Sequence, residues 1–401
     1  MRHRLMRHTF LLIGIIFVIP LVSCVGRLAP YTQSSWTYEP AGKPAPDTQW
    51  LQTYGEAGIS TYGSLAQQTS DGGYIIWGHK PLAPYCLIKT DLDGNQLWER
   101  SFDDDEIVRF ELGQQTTDGG YIICGMYDGK GAYLLKTDTD GNTICDKKMG
   151  EYVRAYSVQQ TTDGGYIMGV VFRNNHNVGL IKTDADGNKL WDRTFDITDF
   201  TDLSYGYFVQ QTKDGGYIIA GNISGKTVGP TNDDIMWLIK TDVEGDQLWY
   251  KVYKLGYGWS AQETMDGGYI MCGVTYIHGR SSILLTKTDI DGNELWSKIF
   301  NYIHPALEKA VQQTVDGGYI LCGYRDDWSG ESWLIKTDAA GNRLWDKKFG
   351  SRKNEVTGYC VQQTTDGGYI LSGSIEHPPK DYNKPYIKTY NILLLKIAPL
   401  P

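Results

Sequence analysis

Two segments of the chain concentrate side chains that can do chemistry. Asp326, Asp327 and Trp328 follow Arg325, and His377, Lys380, Asp381, Tyr382, Tyr386 and Tyr390 crowd a second stretch. Aromatic rings beside carboxylates can stack on a sugar or peptide and hydrogen-bond its polar groups. The candidate ligand-binding residues are therefore Asp326, Asp327, Trp328, His377, Tyr382 and Tyr386, with Asp233 and Asp234 as a further acidic pair. Glycoside chemistry would need two carboxylates about 5–10 Å apart in one cleft, which sequence spacing does not establish. No nucleophile elbow, P-loop, HExxH or dinucleotide fingerprint occurs. No catalytic residue is assigned.

Metal chemistry is equally sparse. His79, His176, His278, His304 and His377 fall in the variable connections of different blades, and no two have ligand spacing. Turns such as Asp91-Leu92-Asp93-Gly94-Asn95 have the look of calcium loops but lack the distant bidentate Glu of an EF-hand. One of them carries Ala340 at the second acidic position, which a turn tolerates and a metal site does not. They read as hairpin chemistry, calcium is a minor alternative, and no cofactor is expected. Cys124, Cys272 and Cys322 share one repeat position with Gly169, Ala220 and Ser372, as small core residues would. Facing sheets stand about 10 Å apart, beyond the reach of a disulfide, so mostly free thiols are expected.

The elements that position these residues come from one repeated unit. DGGY begins at Asp71, Asp118, Asp163, Asp214, Asp266, Asp316 and Asp366, every 45 to 52 residues. The unit reads VQQTxDGGYIxxG, a variable stretch, then LIKTDxxGNxLWxKxF. Four short strands A to D, separated by turn residues, make one propeller blade. The seventh unit ends after strand C, and Trp50 to Gly55 aligns with Trp345 to Gly350. The N-terminal segment is thus predicted to supply the last strand D and close the ring, leaving no unpaired edge. The expected fold is all-β, a seven-bladed β-propeller of four-stranded blades over residues 48–401.

The KTDxxGNxLW segment resembles the tryptophan-docking repeat of quinoprotein-type propellers. The whole unit is similar to DGGYI-repeat propellers of exported prokaryotic proteins. The resemblance implies fold and not activity, because that superfamily holds enzymes, scaffolds and binders. Quinoprotein dehydrogenases would imply eight blades and adjacent cysteines, and this chain has neither. Within the chain, Cys145 stands where other units place Trp98, Trp191, Trp249, Trp296 and Trp345.

The start carries an address. A basic MRHRLMRHTF precedes an apolar run of about a dozen residues, the pattern of an export signal. Leu21-Val22-Ser23-Cys24 resembles the lipobox of prokaryotic lipoproteins, which implies cleavage after residue 23 and a lipid on Cys24. Residues 1–23 then form the signal peptide and 24–47 a lipidated, proline-rich spacer. Localisation would be extracytoplasmic, at the cell envelope, with the membrane reached through that lipid. A net charge of −9 argues against a nucleic-acid partner.

Loop lengths point to a working face. From the DGGY aspartate to the KTD lysine the spacing varies from 18 to 30 residues, while the A–B and C–D turns are constant. Variable connections on a rigid scaffold tend to carry function, and B–C and D–A connections share one face. The expected function is a lipid-anchored binding or scaffold propeller using that face, its partner an unidentified protein or glycan. The alternative is a glycan-binding or glycan-active surface protein. The Gln-Gln-Thr of strand A, as in Gln159-Gln160-Thr161, would lie innermost, either bonding around the channel or lining a polar pocket.

Overall fold

A computed structural model describes residues 44–55, 59–79, 85–102, 107–127, 131–151, 153–172, 177–195, 203–224, 235–253, 256–306, 309–325, 329–377 and 389–399. All regular structure among them is β. In blade 1 strands A to D are Tyr62–Gln68, Tyr74–His79, Tyr85–Thr90 and Gln96–Phe102, paired antiparallel in chain order. The same meander repeats around the ring, seven sheets in all. The chain folds as a seven-bladed β-propeller.

Closure follows the predicted swap. Blade 7 takes Val356–Gln363, Tyr369–His377 and Thr389–Ile397 as strands A to C, and Thr48–Tyr54 as strand D. Trp50 lies opposite Lys396 and Tyr54 opposite Ile392. Strands B and C are buried on both faces, as Tyr74–His79 and Tyr85–Thr90 show, because each sheet is covered by two neighbouring blades. Blade 6 departs from the pattern. Its strand A is split into His304–Pro305 and Val311–Gln313, and Ala306 and Ala310 both bond to Cys322 across the gap. Among the described residues six cysteines are free thiols, five of them buried. Burial pushes the thiols of Cys272 and Cys322 well above the ordinary range.

Blades are locked together by the tryptophan of strand D. Trp249 meets Tyr269 of the next blade edge-on at 5.7 Å, and Trp98 meets Tyr121 at 6.0 Å. The indole also covers the glycine of the next C–D turn, so that a Cβ on Gly292 or Gly141 would strike it. Between blades 2 and 3 this contact is missing. The Cys145 Sγ lies 3.6 Å from the Asp186 carbonyl oxygen, and Gly187 faces Lys147 and Leu134 instead of an indole. Cys145→Trp is expected to stabilise the fold by about 1 kcal/mol, and Trp249→Ala to destabilise it by about 2–3 kcal/mol. Urea unfolding of the two variants reads both signs. A destabilised Cys145→Trp would mean that the notch has closed by other packing.

Candidate functional site

The A–B turn is a built structural unit. Gly72 takes φ +88°, and its N–H donates to the Thr69 carbonyl at 2.9 Å. Asp71 Oδ1 accepts from Thr69 Oγ1 at 2.5 Å, Gly73 N–H at 3.1 Å and Lys89 Nζ at 3.1 Å. Lys89 Nζ also donates to the Thr90 carbonyl at 2.9 Å. The pairing recurs in every blade, with lysine side chains 1–7% exposed and their aspartates 49–61% exposed. A Cβ on Gly73 would collide with the Thr90 carbonyl oxygen and Lys89 Nζ. Gly73→Ala is therefore expected to cost about 3 kcal/mol in a thermal or urea transition. A near-neutral result would show that the turn can shift.

The C–D turns use their aspartates internally. Asp91 Oδ1 accepts from Asp93 N–H at 2.9 Å and Asn95 N–H at 2.8 Å, and Oδ2 accepts from Asn95 Nδ2 at 2.9 Å. These bonds supply the hairpin chemistry read from the sequence. Among the described residues, no group of three or more His, Cys, Asp or Glu is placed to hold a metal ion.

Around the axis the glutamines form a closed circle. The first glutamine of each Gln-Gln-Thr offers its side-chain oxygen to the backbone N–H of the second position in the next blade. Gln115 donates to Gln67 at 2.9 Å, Gln160 to Gln114 at 3.1 Å, and Gln211 to Gln159 at 2.6 Å. Glu263 donates to Gln210 at 2.8 Å, Gln313 to Gln262 at 2.8 Å, and Gln363 to Gln312 at 2.6 Å. Gln68 donating to Gln362 at 2.8 Å completes the ring. The second side chain reaches back: Gln115 Oε1 accepts from Ser70 N–H at 2.9 Å, while its Nε2 donates to its own Gly119 carbonyl at 3.1 Å. Blade 5 has Glu263 at that second position, accepting from Lys213 N–H at 2.9 Å through Oε2. Inside the ring lies a cavity of about 170 Å³, lined by strand A of all seven blades.

The opposite, variable face carries a row of aromatics across blades 7, 1 and 2. Tyr390 and Tyr62 lie 5.2 Å apart, Tyr62 and His79 5.7 Å, His79 and Tyr85 5.9 Å, and Tyr85 and Phe110 4.6 Å. Nearby, Arg154 Nη2 is 2.6 Å from Glu111 Oε1, bridging strands A of blades 2 and 3, and its guanidinium covers Tyr156 at 4.5 Å. Of the residues singled out from sequence, Asp326, Asp327, Trp328, Tyr382, Tyr386, Asp233, Asp234 and Cys24 lie outside the described residues. His377 ends strand B of blade 7 opposite Thr389, and its side chain is not described. Of this row, Tyr390 and His79 were singled out from sequence, whereas Tyr62, Tyr85 and Phe110 were missed because they sit at strand ends instead of in long loops. The signal was available: Tyr62, Tyr85 and Tyr390 each border a variable connection.

No protein-family model and no curated protein sequence matches the chain. Solved structures resemble it in fold. BBS1N in complex with ARL6DN aligns with 90% of this chain and 98% of its own, at 11% identity and a TM-score of 0.52. The extracellular domains 1–2 of Drosophila Semaphorin 1b align with 88% of this chain and 87% of their own, at 6% identity and a TM-score of 0.50. A Bacteroides caccae protein of unknown function aligns with 73% of this chain and 94% of its own, at 12% identity and a TM-score of 0.46. At such identities the likeness is one of fold.

Proposed function

We propose that this is an exported, lipid-anchored propeller that binds or scaffolds a partner through its B–C/D–A face. The observation that carries the reading is where the chain enters the ring. Thr48 opens the outer strand of blade 7 at the short-turn end, where the Asp47 carbonyl accepts from Ala398 N–H at 2.9 Å and Lys347 Nζ donates to the Pro46 carbonyl at 2.5 Å. The chain therefore enters the ring at the A–B/C–D end of the blades, and the variable face with its aromatic row lies at their other end. BBS1N, a propeller of this fold, is solved with a protein bound, so a protein partner suits the architecture.

Two measurements test the reading in the native host. Cys24→Ser should move the protein from the membrane fraction to the soluble fraction, and retention on the membrane would overturn the anchor. A photo-crosslinking residue at Tyr62 should capture a partner that the same residue at Ile290, on a C–D turn, does not. The reverse pattern would put the interface on the other face. The partly buried ring pair of Tyr62 and Tyr390 favours a glycan as the second reading. That reading predicts saturable polysaccharide binding lost in Tyr62→Ala.

A further inference from the structure

We infer that the short-turn face is a docking surface for a zwitterionic lipid bilayer, an inference that rests on the proposed lipid on Cys24. The repeat itself shows which turn tips depart from pattern. The residue before each DGGY aspartate stands at the tip of an A–B turn, and the residue after each KTD aspartate at the tip of a C–D turn. On blades 2 and 3 these are Thr117, Thr139, Thr162 and Ala185. On blades 4, 5, 6 and 1 they include Val243, Met265, Ile290, Val315 and Leu92, each 52–79% exposed. A Cβ on Gly267 would lie 3.7 Å from Ile290 Cδ1, and one on Gly215 3.9 Å from Val243 Cγ2, so both kinds of tip belong to one face. Met265 and Val315 are tied to the next blade, their N–H groups donating to Gln313 Oε1 at 2.7 Å and Gln363 Oε1 at 2.9 Å. A single exposed apolar side chain needs no explanation. Five at equivalent tips on one side of the ring do.

The chain enters the ring in the same sector. Thr48 opens the outer strand of blade 7, between blades 6 and 1. Just before it, the Pro46 carbonyl accepts from Lys347 of blade 6, and Ala45 packs against the core shared by blades 5 to 7. Residues 24–43, up to about 70 Å when extended, join this point to Cys24. A tether of that reach lets either face meet the membrane, and the apolar tips decide between them. Charge fixes the kind of bilayer. Leu92 stands between Asp91 and Asp93, Val243 between Asp242 and Glu244, and Ile290 between Asp289 and Asp291. Anionic headgroups would be repelled by these carboxylates, whereas the ammonium groups of a zwitterionic lipid match them while the tips reach the acyl boundary. A second copy docking through the same face would set carboxylate against carboxylate. The tips are few and shallow, so they orient a domain that its lipid already holds close.

The test uses the full lipidated protein reconstituted in phosphatidylcholine vesicles, with a photo-crosslinking residue at Ile290 or at Tyr62 and the lipid adduct read by mass spectrometry. Ile290 should give about fivefold more lipid adduct than Tyr62. Exchanging part of the phosphatidylcholine for phosphatidylglycerol should lower the Ile290 adduct. Met265→Ser joined with Val315→Ser should lower it about threefold while leaving the thermal transition in place. Equal adducts at the two positions, an excess at Tyr62, a gain with phosphatidylglycerol, or an Ile290 crosslink to a second copy of the chain would each overturn the inference. Cys24→Ser reads the anchor separately. Release of that variant from the membrane, with no Ile290 excess in the lipidated protein, removes this inference and keeps the anchor. Retention of the variant with the Ile290 adduct intact removes the anchor and keeps the docking face.

Discussion

A chain that begins at Pro44 is expected to melt at the same temperature as one that begins at Cys24, whereas a chain that begins at Glu56 is expected to lose its cooperative transition. The difference is the seven-residue strand Thr48–Tyr54. Without it, the Thr389–Ile397 strand presents an unpaired edge where six paired positions had been. The edge-on contact of Trp50 with Tyr74 at 5.8 Å is lost, as is the bond from Tyr54 OH to the Gly94 carbonyl at 2.6 Å. At about 1 kcal/mol for each ladder or side-chain hydrogen bond and about 2–3 kcal/mol for the tryptophan, the loss rivals the whole stability of an ordinary domain. Near-UV circular dichroism and size-exclusion chromatography read the result. A synthetic peptide of residues 48–55 added in excess should restore part of the signal by mass action. A chain from Glu56 that melted unchanged would show that seven blades hold without the closing strand.

The architecture was legible in the sequence because it is written seven times. Each DGGY supplies a positive-φ turn and each KTD a lysine strut, so register and strand number follow from counting. The swap was legible for the same reason, since a missing strand at one end matched a surplus at the other. What the sequence concealed is cooperative between blades. Gln159 looks the same whether its oxygen faces the channel or the next blade, and only the neighbour's backbone N–H decides. The break in blade 6 was hidden because Val311-Gln312-Gln313 keeps the motif while the residues before it leave the ladder. For function, the long loops drew attention to blades 6 and 7, and the aromatic row on blades 7, 1 and 2 emerged only from the fold.

Acid is expected to unfold the protein in a window set by the DGGY aspartates. Burial alone would raise these carboxyls. In Asp163 it is outweighed by hydrogen bonds from Thr161 Oγ1, Lys182 Nζ and Gly165 N–H and by the Lys182 charge, which together hold the group at about 2. Asp366 is likewise held at about 2, against the same burial, by bonds from Lys396, Thr364 and Gly368 and by the Lys396 charge. The five equivalents are lowered in the same way. A carboxyl whose pKa is depressed in the folded state lends stability that is complete above its unfolded value, near 4, and is lost as pH falls through the folded one. The melting temperature should therefore be insensitive to these groups from pH 8 to about 5.5, fall steeply below pH 4, and level off only near pH 2. Seven sites acting together should make unfolding near pH 3 take up several protons. Asp163→Asn should cost about 2 kcal/mol at pH 7, less than for a fully buried pair because Asp163 is half exposed, and should flatten the slope below pH 4. Joining it with Lys182→Met, which removes the orphaned ammonium, should recover part of the loss at pH 7 while keeping the flatter acid slope. A single variant with the full native slope would show that acid unfolding is governed by carboxylates outside the repeated turn.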